Sequence, residues 1–460
     1  MNETSVRLER EFPGGIRYGA EELEAIRRVV EAQSPFRYYG PQCRFEARQF
    51  EEDFARYLDS QPGHPWPSTS PFLVTASNSG TGALEVALDA LGTGCGDEVL
   101  TQGFFWISTI SSVVRSRAVP VLVDSDDTMN MDPVDLERKI TDRTRIVLLV
   151  HMAGEAARIG PIMDVVRRAN RDRLGRGLPV IRVLEDCAQM IGGHTIGAPG
   201  SVTPLGPETT YRVGAFGDVG IFSLQLNKNI TSGEGGVIVT RDPALHRRIQ
   251  AINDVGFIRD SRGTGNVEDG DEQTLCWGQG RRFTELQGAL ARVQLGRIDE
   301  ILSSMRTIHR RLEKHLAGRP GITTRPHADG ANGDSGGFLL IHLPQTAGDD
   351  EQRFALGRKV AAGLKEGGLL AFYCHDYEVH VYYNIPQLRT RLPIHPSGCP
   401  WGCERNLASR EVSYGRGTLP RLDELFSRTV GIVIPSRATE EQEASMARVV
   451  DEVLSAAGIG

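Results

Sequence analysis

From residue 72 onward, short runs of apolar residues alternate with longer segments of mixed polarity that have helical spacing. Short continuous apolar runs are typical of strands that are buried on both faces. Because helical segments separate most of the runs, the pattern predicts an α/β fold with a mostly parallel sheet covered by helices on both sides. The runs lie at 72–76, 98–100, 119–123, 145–150, 180–184, 219–226 and 237–239.

Segments of helical periodicity flank this region on both sides. Two precede the sheet, and a long one, predicted as a continuous helical stretch, follows it and leads to the C-terminal part of the chain. These segments are 19–33, 44–58 and 284–315.

The C-terminal part has its own alternation of strand-like and helical segments. A capping-box pattern at Thr439 opens a last helix that continues to Leu454. A chain of 460 residues exceeds one core, so we predict two domains, 1–315 and 316–460. The other segments of the second domain are 337–343, 352–364, 379–383 and 419–426.

The composition is that of an ordinary globular protein, with a net charge of -7. No basic block stands out, which argues against a nucleic-acid partner. No apolar run reaches the length of a membrane span, and the first residues lack the apolar core of a signal peptide. Seven cysteines, an odd number without a secretion signal, indicate reduced thiols and a cytoplasmic location.

Lys228 has an unusual position for a lysine in this chain. The sequence contains five lysines, and Lys228 alone lies between an apolar run, 219–226, and a glycine-rich turn, 231–236. Desolvation at such a place lowers the pKa of an amine and makes its neutral form available as a nucleophile. The alternative is an ordinary surface lysine beside a turn.

Three segments that follow predicted strands carry residues suited to an anionic heteroaromatic ligand. Ser79, Gly80 and Thr81 lie where a helix begins, which favours a phosphate but is also usual for helix caps. Asp186 follows a strand, where a buried carboxylate either needs a cation, such as a protonated pyridine nitrogen, or caps the next helix. The aromatic residues of 103–109 would offer a flat surface or belong to the core. Since ligands bind at the carboxyl ends of parallel strands, we expect these segments to converge.

Together these segments resemble the DegT/StrS-type sugar aminotransferases, which are fold-type-I pyridoxal-phosphate enzymes. The resemblance extends over most of the chain, and the motif around Lys228 is its most specific part. It implies pyridoxal 5′-phosphate (PLP) as the cofactor, a homodimer, a seven-stranded sheet in the large domain and a smaller C-terminal α+β domain. The segments that carry the resemblance are 79–84, 105–109, 185–189, 217–218 and 222–236.

The resemblance also implies roles for individual residues. Lys228 would bind the cofactor through its amine and then shuttle a proton, and Asp186 would keep the pyridine nitrogen protonated. Trp106 would stack on the ring, and Gln189 would lie near its phenolic oxygen. The phosphate would be bound by Ser79, Gly80, Thr81 and Ser223.

One position departs from the family pattern. Two residues before the arginine of the segment 282–285, the family usually has an asparagine that reaches the phosphate across the dimer interface. Gly280 stands at this position, and Gln279 and Arg281 are candidates to substitute. Two glycine-bearing insertions, predicted as surface or lid loops, also lengthen the chain at 197–217 and 260–272.

Candidates for substrate contacts rest on aromatic and basic side chains that could face a sugar. We consider four of them, namely Tyr38, Tyr39, His375 and Arg282. His375 belongs to a polar and aromatic group that either lines a sugar pocket or forms a half-buried strand, together with Tyr377, His380 and Tyr382.

No metal site is predicted. Cys399 and Cys403 are separated by three residues and have His395 nearby, but no fourth ligand is apparent. We interpret them as loop residues without a metal.

The sequence thus predicts a PLP-dependent aminotransferase. It would move an amino group from glutamate or glutamine to a keto-sugar, as a nucleotide-sugar, an octulosonate or a cyclitol ketone, in amino-sugar or natural-product biosynthesis such as that of antibiotics. A PLP-dependent sugar dehydratase is an alternative, but that branch carries histidine in place of the lysine, so Lys228 argues against it. A catalytically silent relative is another alternative, which the glycine at position 280 leaves open.

Overall fold

The computed structural model of the protein describes residues 8, 12–60, 64–196, 210–259, 275–328, 333–345, 349–407 and 411–459. None of the helices in these ranges is long and apolar enough to cross a lipid bilayer. The strands are β1 (Leu73–Ser77), β2 (Glu98–Gln102), β3 (Val119–Val123), β4 (Thr144–Val150), β5 (Arg182–Asp186), β6 (His194–Ile196), β7 (Thr210–Arg212), β8 (Val219–Ser223), β9 (Gly236–Thr240), β10 (Thr323–Thr324), β11 (Phe338–His342), β12 (Ala371–Tyr373) and β13 (Thr429–Val433). The α-helices are α1 (Ala20–Glu31), α2 (Glu46–Asp59), α3 (Gly80–Ala90), α4 (Ile107–Arg115), α5 (Pro133–Lys139), α6 (Ile159–Gly175), α7 (Pro243–Asn253), α8 (Glu285–Leu295), α9 (Ile298–Leu316), α10 (Asp350–Glu366), α11 (Pro386–Arg389), α12 (Glu404–Leu407), α13 (Pro420–Arg428) and α14 (Glu440–Ala456).

The central sheet has seven strands in the order β1-β9-β8-β5-β4-β2-β3. β9 runs antiparallel to both of its neighbours, and the other pairs are parallel. The predicted α/β fold with a mostly parallel, seven-stranded sheet is confirmed. Because β9 alone is reversed, the carboxyl ends of the other strands lie along one edge of the sheet, where ligands bind in such folds.

The helical stretch predicted at 284–315 is broken into two helices, α8 and α9, which are separated by a turn at Gly296. Glycine weakens a helix because it loses more backbone entropy than other residues. The break redirects the chain, and α9 then joins two apolar cores. Its residues 298–305 pack in a core on one face of the central sheet, and its residues 308–316 pack in a C-terminal core.

A second, four-stranded antiparallel sheet lies in the C-terminal part, in the order β10-β11-β13-β12. Residues of α10 and α14 pack with it in the C-terminal core. The capping box predicted at Thr439 is present, because Thr439 Oγ1 accepts the N–H of Gln442. Since α9 contributes to both cores, the boundary between 315 and 316 stays a prediction.

Residues 379–383 do not form a strand, which was one of the two alternatives for the polar and aromatic group around His375. The segment instead makes 3-10 turns at Glu378–His380 and Tyr382–Asn384. One isolated bridge joins Val381 to Phe104, which follows β2. This contact holds the segment over the carboxyl-end edge of the central sheet in place of a strand ladder.

The prediction that 197–217 is a surface or lid loop is wrong for its described part. Residues 210–212 are β7, which forms an antiparallel hairpin with β6. Residues 213–216, which follow β7, are buried. Residues 197–209 and the insertion predicted at 260–272 lie outside the described residues.

A buried carboxylate, that of Glu185, organises the carboxyl end of β5. Its oxygens accept backbone N–H groups and lie 3.1 Å from the His151 ring. Although burial raises the pKa of Glu185, these hydrogen bonds hold it below the ordinary value of 4.5. The N–H donors are Gly214 at 2.9 Å, Phe216 at 2.8 Å and Gly217 at 2.7 Å.

We expect Glu185→Gln to lower the free energy of unfolding by about 3 kcal/mol, since an amide nitrogen would face backbone donors. The carboxylate's contribution is present above pH 4.5 and is lost as the pH falls through the lower folded-state pKa. The difference from the wild type, measured by chemical denaturation, should therefore be large near neutral pH and smaller near about pH 4. Glu137→Gln, at an exposed ion pair, is the control. Equal destabilisation by the two substitutions would contradict this role of Glu185.

Candidate active site

The parallel strands bring the predicted cofactor residues to one edge of the central sheet. β8 lies beside β5, so Lys228 and Asp186 come from neighbouring strand ends and their charges interact. Thr81 Oγ1 donates to Ser108 Oγ at 2.8 Å and joins the first turns of α3 and α4. The residues that follow or end the strands at this edge are Ser79, Trp106, Asp186, Ser223 and Lys228.

The start of α3 and the end of β8 form a tight cup. Ser79 Oγ accepts the N–H of Gly82 at 2.9 Å as the N-cap, which leaves the earlier amides of the helix for another acceptor. A Cβ added at Gly80 would lie 2.8 Å from Ser223 Cβ. On β9, a Cβ added at Gly236 would lie 2.2 Å from the Ser79 carbonyl oxygen. These glycines allow a close approach of backbone segments that suits a phosphate.

Asp186 is a buried carboxylate whose charge is only partly compensated. Thr109 Oγ1 donates to Oδ2 at 2.8 Å, and the N–H of Ala188 donates to Oδ1 at 3.1 Å. Desolvation nevertheless raises the pKa of Asp186, against the opposing effects of these hydrogen bonds and of Lys228. A cationic ligand atom, such as a protonated pyridine nitrogen, would compensate this charge.

Lys228 is half-buried in the turn after β8, where its N–H donates to the Gln225 carbonyl at 2.9 Å. Loss of solvation lowers the pKa of the Lys228 amine below 10.5, although Asp186 and Glu234 act in the opposite direction. A lower pKa increases the fraction of neutral amine, which is the form that attacks a carbonyl carbon or takes up a proton.

Gln189 and Trp106 are oriented by contacts with other segments. Gln189 Oε1 accepts the N–H of Ala153 at 2.8 Å, so Nε2 is the end of the amide that remains able to donate. The exposed indole of Trp106 packs against the imidazole of His380, with ring centroids 4.8 Å apart. The 3-10 turns of the C-terminal part therefore supply one wall of the site.

Two residues at this edge, Thr109 and His151, did not emerge as site residues from the sequence, whereas His380 belongs to the polar and aromatic group considered there for a sugar pocket. Thr109 holds Asp186, and the His151 N–H donates to the Asp186 carbonyl at 3.0 Å. Burial and the charge of Lys228 lower the pKa of His380 to about 4, so its ring is neutral at physiological pH. Thr109 lies in the aromatic segment and His151 directly follows a strand, which were available signals.

The residues considered for substrate contacts lie in two regions. Tyr38 lines a cavity of about 660 Å³ whose described lining does not include Lys228, and Tyr39 is exposed. Arg282 lies in the same region, with its guanidinium 5.7 Å from the ring of Phe36, which also contacts Tyr38. His375 packs in the C-terminal part, where its Nδ1 is 2.7 Å from a tyrosine hydroxyl. Their roles toward substrate stay predictions.

The loop that contains Gly280 folds back on α3. Gly280 has a φ of +66°, a conformation that favours glycine and is next best tolerated by asparagine and aspartate. The side chains of Gln279 and Arg281 pair with Asp89 and Glu85 of α3 in the same chain. A Cβ added at Gly280 would meet no described atom within 4 Å. The chain thus has open space around Gly280, the position where the family usually has asparagine.

Comparison with known proteins agrees with this arrangement. The sequence profile of the DegT/DnrJ/EryC1/StrS aminotransferase family matches residues 17–371. The chain belongs to this family. The predicted membership is confirmed, and it implies that the protein is an aminotransferase-type enzyme with PLP as its cofactor.

Several curated relatives have names that specify both a donor and an acceptor. A putative L-glutamine:3-amino-2,3-dideoxy-scyllo-inosose aminotransferase of Streptoalloteichus tenebrarius is 35% identical over 321 residues, which cover 70% of this chain and 67% of the relative. The L-glutamine:scyllo-inosose aminotransferase of Streptomyces griseus is 33% identical over 303 residues, 65% of this chain and 62% of the relative. The chain therefore spans about two thirds of the length of these relatives, or somewhat less.

Solved structures share the fold over nearly the whole chain. A 3-amino-5-hydroxybenzoic acid synthase superposes with a TM-score of 0.72 at 24% identity, covering 98% of this chain and 100% of the other. The PLP form of a putative sugar aminotransferase from Streptococcus pneumoniae has a TM-score of 0.72 at 17% identity, with 98% and 99% covered. At these identities the likeness confirms the fold alone.

PLP fits the residues that this family member presents. A side chain at position 80 would fill the cup. With glycine there, the cup has room and free amides for a phosphate. Asp186 needs the positive charge that a protonated pyridine nitrogen carries. Gln189 has an amide donor available for an oxygen on the ring.

We expect Gly80→Ala to weaken PLP binding by about tenfold or more, because the new methyl group would displace Ser223 and disturb the cup. Titration of the cofactor-free protein with PLP, followed by absorbance, measures the change in Kd. Gly160→Ala is the matched control, since a Cβ there meets nothing within 4 Å. Equal PLP affinity in both variants would argue against a phosphate site at Gly80.

Proposed function

We propose that this protein transfers an amino group from L-glutamine or L-glutamate to a keto-sugar or cyclitol ketone, in the biosynthesis of an amino sugar or an aminocyclitol antibiotic. The observation that carries the proposal is that Lys228 and Asp186 come from neighbouring strand ends, where their charges interact, beside the cup at Gly80. The curated relatives support the choice of acceptor and donor, because their names join L-glutamine with scyllo-inosose compounds.

PLP, when bound, supplies an electron-withdrawing ring that stabilises negative charge at the carbon attached to the amine. Lys228 Nζ would hold the cofactor and then take the proton from the donor Cα, for which its lowered pKa provides the neutral amine. Asp186 would keep a proton on the ring nitrogen, and Thr109 would hold that carboxylate in place. The amides at the start of α3 would fix the phosphate and thereby the position of the ring.

The acceptor side of the site is formed by His380 and Trp106. His380 has a neutral ring, and its Nδ1 is buried without a hydrogen-bond partner among the described residues. An unpartnered polar atom at such a place is unfavourable until a group supplies the bond. The ring of Tyr377 stacks on His380 at 3.9 Å and limits its rotation. This geometry favours an acceptor with hydroxyl groups.

We expect the PLP-loaded wild type to lose the visible absorbance of the bound cofactor when L-glutamine or L-glutamate is added, and to regain it with a cyclitol ketone. Lys228→Ala should lower the turnover by at least about 10³-fold, because the proton on the donor Cα has no base. Asp186→Asn should also lower it strongly, whereas Lys365→Ala, at an exposed lysine, should not.

Three outcomes would contradict the proposal. If neither donor changes the spectrum, the assignment of the donor is wrong. Normal turnover by Lys228→Ala would remove its assigned role. Loss of oxygen from a nucleotide-sugar without transfer of an amine would show a dehydratase instead.

We also propose that the protein is a homodimer in which the loop of Gly280 approaches the cofactor of the partner subunit. The family resemblance supports this proposal, as does the open space around Gly280. Gln279 and Arg281, the candidates to substitute for the family's asparagine, are paired with α3 of their own chain. The cross-subunit bond to the phosphate would then be missing rather than replaced.

Gly280→Asn should restore that bond and lower the Kd of PLP severalfold, since asparagine tolerates the positive φ at this position. Gly177→Asn, also at positive φ and with nothing within 4 Å, is the control. PLP titration measures the affinity, and sedimentation measures the oligomeric state. A monomeric protein, or an unchanged Kd in Gly280→Asn, would contradict the proposal.

A further inference from the structure

Three cysteines converge at the amino-terminal edge of the central sheet, opposite the strand ends that carry Lys228. Cys95 lies in the turn before β2, and Cys399 and Cys403 lie in the segment between α11 and α12. Their Sγ atoms all lie within 4.8 Å of one another, and Cys95 Sγ is 4.0 Å from Cys399 Sγ. Because Cys95 is so distant from the others in sequence, only the fold brings the three together.

The spacing of the sulfur atoms matches three corners of a tetrahedral zinc site. With Zn–S bonds of about 2.3 Å, sulfur ligands at tetrahedral corners lie about 3.8 Å apart. A disulfide would require about 2.05 Å between two sulfur atoms. The three sulfur atoms are therefore too far apart for a disulfide and close to the spacing of zinc ligands. A divalent cation could bind all three with little movement of the backbone.

The segment 395–406, which carries two of the thiols, is positioned by polar contacts with the turn of Cys95. Asn406 Oδ1 accepts the N–H of Gly96, the residue after Cys95, at 2.6 Å. Residues 391–394, which precede the segment, and its first residues, 395–397, are exposed and thus contribute little apolar burial. A metal link would add to these contacts and would fix the positions of the three thiols relative to one another.

We propose that Cys95, Cys399 and Cys403 bind a structural zinc ion as thiolates, with water in the fourth position. The ion would hold the segment 395–406 against the turn before β2 of the central sheet. Each thiol releases its proton to solvent on binding, and no oxidation or reduction takes place. β2, roughly 15 Å long, separates the site from the PLP edge, so the role is structural.

This proposal revises the interpretation of Cys399 and Cys403 as loop residues without a metal. In the sequence, no further thiol lies near those two residues. Cys95 supplies it, from a turn of the large domain. The proposal does not depend on the amino-transfer reaction, because none of its residues belongs to the candidate active site.

The test uses the full-length protein, expressed with zinc in the medium. We expect about one zinc per chain by elemental analysis of the wild type. Co²⁺ added to the metal-free wild type should give the absorption bands of tetrahedral thiolate coordination, saturating at about one equivalent. Removal of zinc by a chelator should lower the Tm by several degrees.

Variants locate the metal. Cys95→Ser and Cys403→Ser should each lose the zinc and the cobalt bands, whereas Cys43→Ser and Cys276→Ser, at thiols outside the group, should retain both. His395→Gln should also retain both, because water completes the site.

A wild type that contains no zinc and gives no cobalt bands would overturn the proposal. A disulfide between Cys95 and Cys399 in the peptide map of the wild type would do the same. Zinc retained at full occupancy by Cys403→Ser would show that the ion lies elsewhere. The cobalt titration of the wild type needs no variant, so it decides the question even if a substituted chain fails to fold.

Discussion

Burial of two consecutive carboxylates at the end of β5 is the constraint on which the candidate site depends. Consecutive residues of a strand point to opposite faces, so Glu185 and Asp186 enter different surroundings. Glu185 is compensated within the fold, by backbone N–H groups and the His151 ring. Asp186 receives fewer bonds, and burial raises its pKa. The fold satisfies one charge by itself and leaves the other in need of a cation.

The order of the strands brings other groups of the candidate site close to the uncompensated Asp186. β8 lies next to β5, so the lysine after β8 comes close to the carboxylate at the end of β5. On its other side, β8 pairs with β9, whose Gly236 lies against Ser79. The same strand thus connects the cup at Gly80 to the turn that carries Lys228. A cofactor with a phosphate at one end and a basic ring nitrogen at the other matches this layout.

Sequence patterns predicted the parts of the structure that depend on local chemistry. Apolar runs identified the strands of the central sheet. Lys228 emerged because it alone among the lysines lies between an apolar run and a glycine-rich turn. Asp186 emerged because a charged residue at a strand end requires a partner. Small residues at the start of a helix suggested a phosphate site at Gly80, but they are equally usual as helix caps, so this expectation depended on the neighbouring segments.

The parts that escaped prediction depend on contacts between segments far apart in the chain. Residues 379–383 have the aromatic and β-branched composition of a strand, but the fold offers them one bridging partner and no ladder. His380 gains its position beside Trp106 through that bridge. The proximity of Cys95 to Cys399 could not be predicted either, because the two residues are far apart in the sequence and only the fold brings them together.

In the proposed function Lys228, among the five lysines of the chain, is the one that binds PLP covalently. Reduction of the PLP-loaded protein with borohydride fixes the cofactor to the amine that holds it, and peptide mass mapping identifies the residue. We expect one label per chain on the peptide that contains Lys228, and none on Lys228→Ala. A label on Lys139, Lys314, Lys359 or Lys365, or no label at all, would contradict it.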